Sequence, residues 1–345
     1  MSLLPERLLV TGGAGFIGST FVRRVLARHP EVSITVLDKL TYAGNLANLA
    51  DVADHPRYAF VRGDICDAVV VERLAAKTDA IVNFAAETHV DRSIEDPTAF
   101  IQTDVHGTYV LLEAARRHEH ARYLQISTDE VYGNLAEGSS REDDPLRPRS
   151  PYAATKAAGD LMVQAYQVTH GLPAITTRAS NNFGPHQYPE KLIPLFVTNV
   201  IDGDPLPLYG DGQQIRDWLY VDDHCDALEL VLMRGEPGEI YNIGGGTALT
   251  NIELTHRLLA LMGAPPSLVR HVPDRPGHDR RYSIDSSKVL ALGWQPGHGF
   301  EEALAETVAW YQARQDWWRP LKNGEYLEYY RRQYGHRLAA EIAVD

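Results

Sequence analysis

The stretch RLLVTGGAGFIGS, residues 7–19, narrows the folds open to this chain more than any other. An apolar run suited to a buried strand stops at glycines, and a helical pattern begins at Phe16. Glycines 12, 15 and 18 follow a G-x-x-G-x-x-G spacing, with Gly13 extra. Small residues there let the backbone turn tightly and let a pyrophosphate approach the positive end of the next helix. The second candidate strand, SITVLD, ends at Asp38. A carboxylate about 20 residues past such a motif can accept hydrogen bonds from both adenosine ribose hydroxyls and repels a 2′-phosphate. The competing reading is an ordinary Gly-rich turn with a helix-capping Asp. Strand, glycines, helix, strand and acid in that order favour a dinucleotide, and NAD over NADP.

The alternation continues. Candidate strands are 7–11, 33–38, 58–64, 79–86, 122–128 and 173–180, with helical spacing at 16–29, 66–77, 97–118 and 151–170. This predicts an α/β fold: a Rossmann-type doubly wound parallel sheet with helices on both faces. The second half is richer in Pro, Gly and Arg and predicts a smaller mixed α/β substrate-binding domain. There, 189–202 reads as a helix, QIRDWLYVDD as a strand entering a helix capped by an Asp, and 239–246 as a strand returning to the first sheet. The expected division is 1–180 for an NAD-binding Rossmann domain, with return of about 223–246, and 181–345 for an interleaved nucleotide-sugar-binding domain.

A formal net charge of −13 argues against nucleic acid or a membrane surface as partner. Any anionic ligand must be met by locally placed cations. Cys66 and Cys225 make neither a disulfide framework nor a metal pattern, and the start MSLLPERLLVTGG has no basic n-region or cleavage site. A cytoplasmic protein is expected. The His-rich RRHEHAR (116–122) reads as a solvated helix end, not a metal site, and QDWWRP (315–320) as packing.

Two places carry chemistry. In RSPYAATKAAGDLM, Ser150 suits an N-cap and Pro151 the first helical position, so Tyr152 and Lys156 share one face at i and i+4. An ammonium there is expected to lower the phenol's pKa and make it a base. In LQISTDEVYG, a core strand ends at Thr128 and is followed by Asp129 and Glu130. Neighbouring side chains alternate faces in a strand, so both carboxylates reach one ligand only if the chain bends just after Thr128. The bland alternatives are two surface residues on an amphipathic helix and a solvated turn.

The glycine motif, Asp38 and the Tyr152/Lys156 pair resemble the extended short-chain dehydrogenase/reductase superfamily. The strings DKLTYAGN, AAETHVDRSI, STDEVYG, SNNFGPHQYPEKLIPL, YGDGQQIRDWLYVDD and DRPGHDRRYSID narrow the resemblance to the dTDP-glucose 4,6-dehydratases, over about residues 7–310. Ala179 and Phe183 stand where that pattern has Cys and Tyr; neither position is catalytic. The resemblance implies that NAD is held by Gly12, Gly15, Phe16, Ile17, Gly18, Asp38, Lys39, Thr41, Gly44, Asp64, Ile65, Ala85, Ala86, Thr88, Thr103, Tyr152, Lys156 and Asn182. It implies that the nucleotide sugar is held by Thr88, Ser93, Thr128, Asn181, Lys191, Leu192, Pro207, Tyr209, Arg216, Asn251, Arg275, His278 and Tyr282. Arg216 and Arg275 suit the diphosphate, since guanidinium binds phosphate bidentately. His89 reads equally well as structural or functional. A homodimer through the helices near 97–118 and 151–170 is implied by the resemblance alone.

The same resemblance implies the reaction and its roles. Tyr152, assisted by Lys156, takes the C4 hydroxyl proton while NAD accepts the C4 hydride, and Thr128 orients that oxygen. Glu130 removes the C5 proton, now α to a ketone, and protonated Asp129 donates to the departing C6 hydroxyl. Hydride returned to C6 and a proton to C5 give dTDP-4-keto-6-deoxyglucose, a precursor for deoxysugar biosynthesis. A UDP- or GDP-sugar dehydratase differs only in base contacts. A nucleotide-sugar 4-epimerase needs no acid–base pair beside C5 and C6. A non-catalytic NAD-binding regulator predicts damage to Thr128, Asp129, Glu130, Tyr152 or Lys156, and all five are present.

Overall fold

The structure, a computed structural model, describes residues 4–339. The outermost ends of the two expected spans, 1–3 and 340–345, lie outside the described residues. The first six strands are β1 (Arg7–Thr11), β2 (Ser33–Asp38), β3 (Tyr58–Arg62), β4 (Ala80–Asn83), β5 (Arg122–Thr128) and β6 (Ala174–Ala179). The rest are β7 (Asn181–Phe183), β8 (Leu206–Tyr209), β9 (Ile215–Tyr220), β10 (Ile240–Ile243), β11 (Ala248–Thr250) and β12 (Val269–Val272). Seven of them form one sheet in the order β10-β6-β5-β4-β1-β2-β3, and every pairing in it is parallel. Burial runs almost unbroken along β1, β5 and β6, as in strands covered on both faces of a parallel sheet, although β5 and β6 carry Gln125, Thr176, Thr177 and Arg178 inside it. The chain reverses its direction of travel across the sheet between β1 and β4, and a doubly wound fold binds ligands outside the strand ends at such a point.

The strand at 240–243 joins the first sheet beside β6. Two smaller sheets stand apart, β11-β9-β7 and β12-β8. Helices run over Phe16–Arg28, Ala68–Ala75 and Pro151–His170, close to expectation, and Ser150 Oγ accepts the Ala153 N–H as the predicted N-cap.

Four local readings need correction. The helix expected at 189–202 begins at Leu192, because Lys191 adopts an extended capping conformation. The helix expected at 97–118 is α-helical only in parts, with a π-helical stretch Ile101–Gly107 that turns Asp104 inward. The helix after β9, Val221–Arg234, is not capped by an Asp: Tyr220 holds the cap position, while Asp222 pairs with Arg24 and Asp223 accepts from the Gly297 N–H and His298 Nδ1. The His-rich end is only partly solvated, since His120 is buried and its Nε2 lies 3.0 Å from the Ala75 carbonyl. QDWWRP does pack: Trp317 and Trp318 are buried, with indole N–H groups donating to Asn48 Oδ1 and the Tyr311 carbonyl.

Candidate active site

A single cleft runs along the carboxyl ends of the main sheet and continues between the sheet and the smaller β-structures. Its first arm is built around the glycine turn. Gly12 has φ +67°, and a Cβ there would sit 2.5 Å from the Ala85 amide nitrogen. A Cβ on Gly18 would sit 2.5 Å from the Gly12 carbonyl oxygen, so the helix can start this close to the turn only without side chains. Gly15 caps that helix with no side-chain hydrogen bond, which leaves its first amide N–H groups facing the cleft for an anion. Asp38, buried at the end of β2, accepts the Ala14 and Leu40 N–H groups at 2.9 and 2.8 Å. A carboxylate has about four acceptor positions, so two remain. A Cβ on Gly44 would lie 2.9 Å from Asp38 Oδ1, so a glycine there keeps that oxygen uncovered. Lys39 is tied to Asp64 at 2.7 Å. The arm therefore fits a dinucleotide with a free 2′-hydroxyl. Every residue that the resemblance assigned to NAD lines it.

At the junction of the arms the chain leaves β5 and turns at once. Thr128, still extended, caps a single 3₁₀ turn, Asp129–Tyr132, by accepting the Glu130 N–H at 3.2 Å. Gly133 ends it at φ +78°, where a Cβ would meet the Arg147 carbonyl oxygen at 2.1 Å. Tyr132 anchors the far side: its hydroxyl receives Arg178 Nη1 and donates to Asn242 Oδ1, both at 2.8 Å. Arg178 is itself held by Asp160 at 2.9 Å in a fully buried pair. The bend brings Asp129 and Glu130 to the same cleft wall as Thr128, Tyr152 and Lys156.

The electrostatics of this junction differ from expectation at one residue. Burial, then Glu130 and Asp104, push the Tyr152 phenol well above its ordinary range, against the opposing hydrogen bond of the Thr128 hydroxyl. The lowering expected from Lys156, whose ammonium donates to the Ile126 carbonyl at 2.8 Å, does not outweigh that burial. Asp104, which accepts from Thr155 Oγ1 and the Glu87 N–H, is pushed up to about 6, chiefly by burial. Burial and the neighbouring Glu130 push the Asp129 carboxyl up to about 8. Burial also raises Glu130, but Arg275, Arg216 and Lys191 all oppose it. Of the two, Asp129 is the one held neutral, and Glu130 is the one that cations favour as an anion.

The second arm is lined by Thr88, Asn181, Lys191, Leu192, Pro207, Tyr209, Arg216, Asn251, Arg275 and His278. Two of the expected substrate residues stand off the wall. Ser93 is fully buried, and its Oγ accepts the Tyr152 N–H at 3.1 Å, so it seats the tyrosine from behind. Tyr282 lies behind Arg216, whose guanidinium is 4.3 Å over its ring; its hydroxyl donates to Asp279 at 2.7 Å and lies 3.4 Å from Glu130. Arg275 pairs with Asp91 at 3.2 Å. His89 is buried on this wall too.

Other wall residues were not anticipated: Tyr42, Glu87, Glu190 and His224 in the first arm, Asp91 and Tyr334 in the second. Tyr42, Glu87, Asp91 and Glu190 fall inside the strings that carried the resemblance, but an acid or a tyrosine in a polar stretch gives no local sign of burial. One signal marks the cleft independently. Asp129 Oδ2, Asn181 Oδ1, Glu190 Oε1, His224 Nε2, Asn251 Oδ1 and Arg275 Nε are buried without hydrogen-bond partners, and all belong to residues of its walls. Each such group costs about 1–3 kcal/mol. Their concentration here fits a large, polar ligand that supplies the missing partners.

Fold and cleft together define a dinucleotide-dependent enzyme of the Rossmann class with a long second arm for a polar, anionic substrate. Residues 9–307 match the family model for GDP-mannose 4,6 dehydratase. A dTDP-glucose 4,6-dehydratase of Streptomyces niveus is 56% identical over 322 residues, covering 92% of this chain and 96% of that one. The crystal structure of DesIV, a dTDP-glucose 4,6-dehydratase from Streptomyces venezuelae with NAD and TDP bound, superposes with a TM-score of 0.90 at 55% identity, covering 92% of this chain and all of that one. A dTDP-glucose 4,6-dehydratase from Bacillus anthracis in complex with NAD gives a TM-score of 0.86 at 48% identity, covering 92% and 99% of the two chains. The chain belongs to the dTDP-glucose 4,6-dehydratase family.

Proposed function

We propose that this protein dehydrates dTDP-glucose to dTDP-4-keto-6-deoxyglucose with NAD recycled in each turnover. The observation that carries this reading is the turn after Thr128, which sets two consecutive carboxylates beside Tyr152 on one wall. The first 180 residues, with the returning strand, hold the dinucleotide, and the remainder holds the nucleotide sugar. When bound, the nicotinamide supplies the acceptor for the C4 hydride and gives that hydride back to C6. Tyr152 takes the C4 hydroxyl proton, with Thr128 orienting the oxygen and Lys156 beside them. Glu130 removes the C5 proton once C4 is a ketone, and neutral Asp129 protonates the leaving C6 hydroxyl. Arg216 and Arg275 face the diphosphate. A homodimer forms through the helical stretches around 97–118 and 151–170, which expose Ile101, Tyr109, Leu161 and Val168. No helix among the described residues is long and apolar enough to cross a membrane; we place the reaction in the cytoplasm.

The purified protein, given dTDP-glucose and no added NAD, should form the 4-keto-6-deoxy sugar, and do so faster than from UDP- or GDP-glucose. Formation of dTDP-galactose alone would overturn the reading.

Asp129 acts as a donor only while protonated. Its folded-state pKa is raised to about 8, so the donor is present below that pH and lost as pH rises through it. A plot of log kcat against pH should therefore bend downward near pH 8, each further unit costing about tenfold. Asp129→Asn should lower the rate at neutral pH and remove that bend. A bend that persists in the variant would assign it to another group.

A further inference from the structure

Part of the first arm is walled by a loop, residues 39–45, and not by the sheet. Thr41, Tyr42, Ala43 and Gly44 of this loop all line the arm. Leu40 stands in it at φ +56°, a left-handed conformation that a leucine adopts only under strain. A segment of that kind keeps its place where its surroundings hold it. Tyr42 is held from outside the loop. The Arg92 guanidinium lies 4.0 Å over its ring, and Tyr188 meets the same ring edge-on, with centroids 5.4 Å apart.

Arg92 is fixed in its turn. Its Nε donates to Glu190 at 3.2 Å, and its guanidinium lies 4.3 Å over the Tyr329 ring. Glu190 is buried and lines both arms, whereas Arg92 lines neither. The helix Val90–Glu95 thus turns three consecutive side chains to three parts of the cleft. Asp91 holds Arg275 of the second arm, Arg92 holds the loop of the first, and Ser93 seats Tyr152. A guanidinium over an aromatic face is attracted by the ring quadrupole, and more strongly where water is kept out.

We propose that Arg92 is a positioning residue for cofactor retention: stacked on Tyr42, it latches the loop 39–45 as a wall of the first arm and slows the departure of NAD. A dinucleotide that must return its hydride within one turnover cannot leave midway, so the latch has a purpose that rests on the dehydratase reading. The test uses protein loaded with labelled NAD, without sugar. Excess unlabelled NAD is added, and loss of label is followed by gel filtration. Arg92→Met, which keeps an unbranched stem and removes the charge, should release label about tenfold faster than wild type. Tyr42→Leu should do the same, and it serves where Arg92→Met does not fold. The double variant should be little faster than either single one, because both break one contact. Tyr42→Phe should stay within about twofold of wild type, because the ring carries the stack. On dilution Arg92→Met should lose dehydratase activity and regain it with added NAD. The proposal is overturned if the folded variants release label at the wild-type rate, or if their effects multiply in the double variant. It is overturned too if Tyr42→Phe releases label as fast as Tyr42→Leu, since the hydroxyl would then be a direct contact to NAD. Wild-type protein that retains label yet leaves dTDP-glucose unconverted would refute the dehydratase reading, while the release rates would still decide the latch.

Discussion

Glu130→Gln should leave the protein able to oxidise C4 but slow elimination about 10²–10⁴-fold, the usual span for losing a positioned base. That is roughly 3–5 kcal/mol of barrier. The amide is nearly isosteric and keeps its place beside the Tyr282 hydroxyl, which lies 3.4 Å from the carboxylate. What it cannot do is take a proton. In a single turnover, reduced nicotinamide should appear and persist, because the ketone forms and waits. A second consequence follows from the same charge. Glu130 is the first neighbour after burial to raise both Asp129 and Tyr152. Without it both groups should titrate lower, so the oxidation step should proceed at lower pH in the variant than in the wild type. Loss of nicotinamide reduction together with elimination would show that the carboxylate serves the first step as well, and the division of labour would be wrong.

The parts of this site that are local in sequence could be read from it. Alternating apolar runs and helical spacing fix a βα order, the glycine spacing fixes a turn too tight for side chains, and Ser150-Pro151 starts a helix that aligns Tyr152 with Lys156. What stayed hidden depends on distant neighbours. The bend after Thr128 was legible as a requirement, but its anchor is Tyr132 held by Arg178 from β6 and Asn242 from β10, strands far apart in the chain. Ser93 and Tyr282 match family positions, yet only packing decides whether a side chain faces the ligand or braces one that does. The helical segment Arg331–Gly335 is a similar case: nothing in RRQYG says that Gln333 and Tyr334 will meet Tyr209. Protonation is the least legible property of all, because burial sets it first. A tyrosine four residues before a lysine promised a lowered pKa, and the fold gave the opposite.

That reversal shapes the second large effect. Tyr152→Phe should abolish C4 oxidation, lowering turnover about 10²–10⁴-fold, with no reduced nicotinamide appearing in a single turnover. Its signature is thus the opposite of that of Glu130→Gln. Ring packing against Phe100, with centroids 6.3 Å apart, survives the change, so the fold should too. With the phenol raised well above 10, only a small fraction is phenolate at neutral pH, and that fraction grows tenfold per pH unit. The oxidation step in wild type should therefore quicken as pH rises through the neutral range, while protonated Asp129 is lost near pH 8. Opposite slopes for the two halves of one reaction would give turnover a narrow optimum, with its rising side owned by Tyr152 and its falling side by Asp129. Combining the substitutions separates the roles. If Tyr152 acts before Glu130, the double variant should resemble Tyr152→Phe, with no accumulated reduced nicotinamide and little further loss. Reduced nicotinamide accumulating in the double variant would mean that another group takes the C4 proton, and Thr128 and Lys156 on the same wall would be the next residues to test.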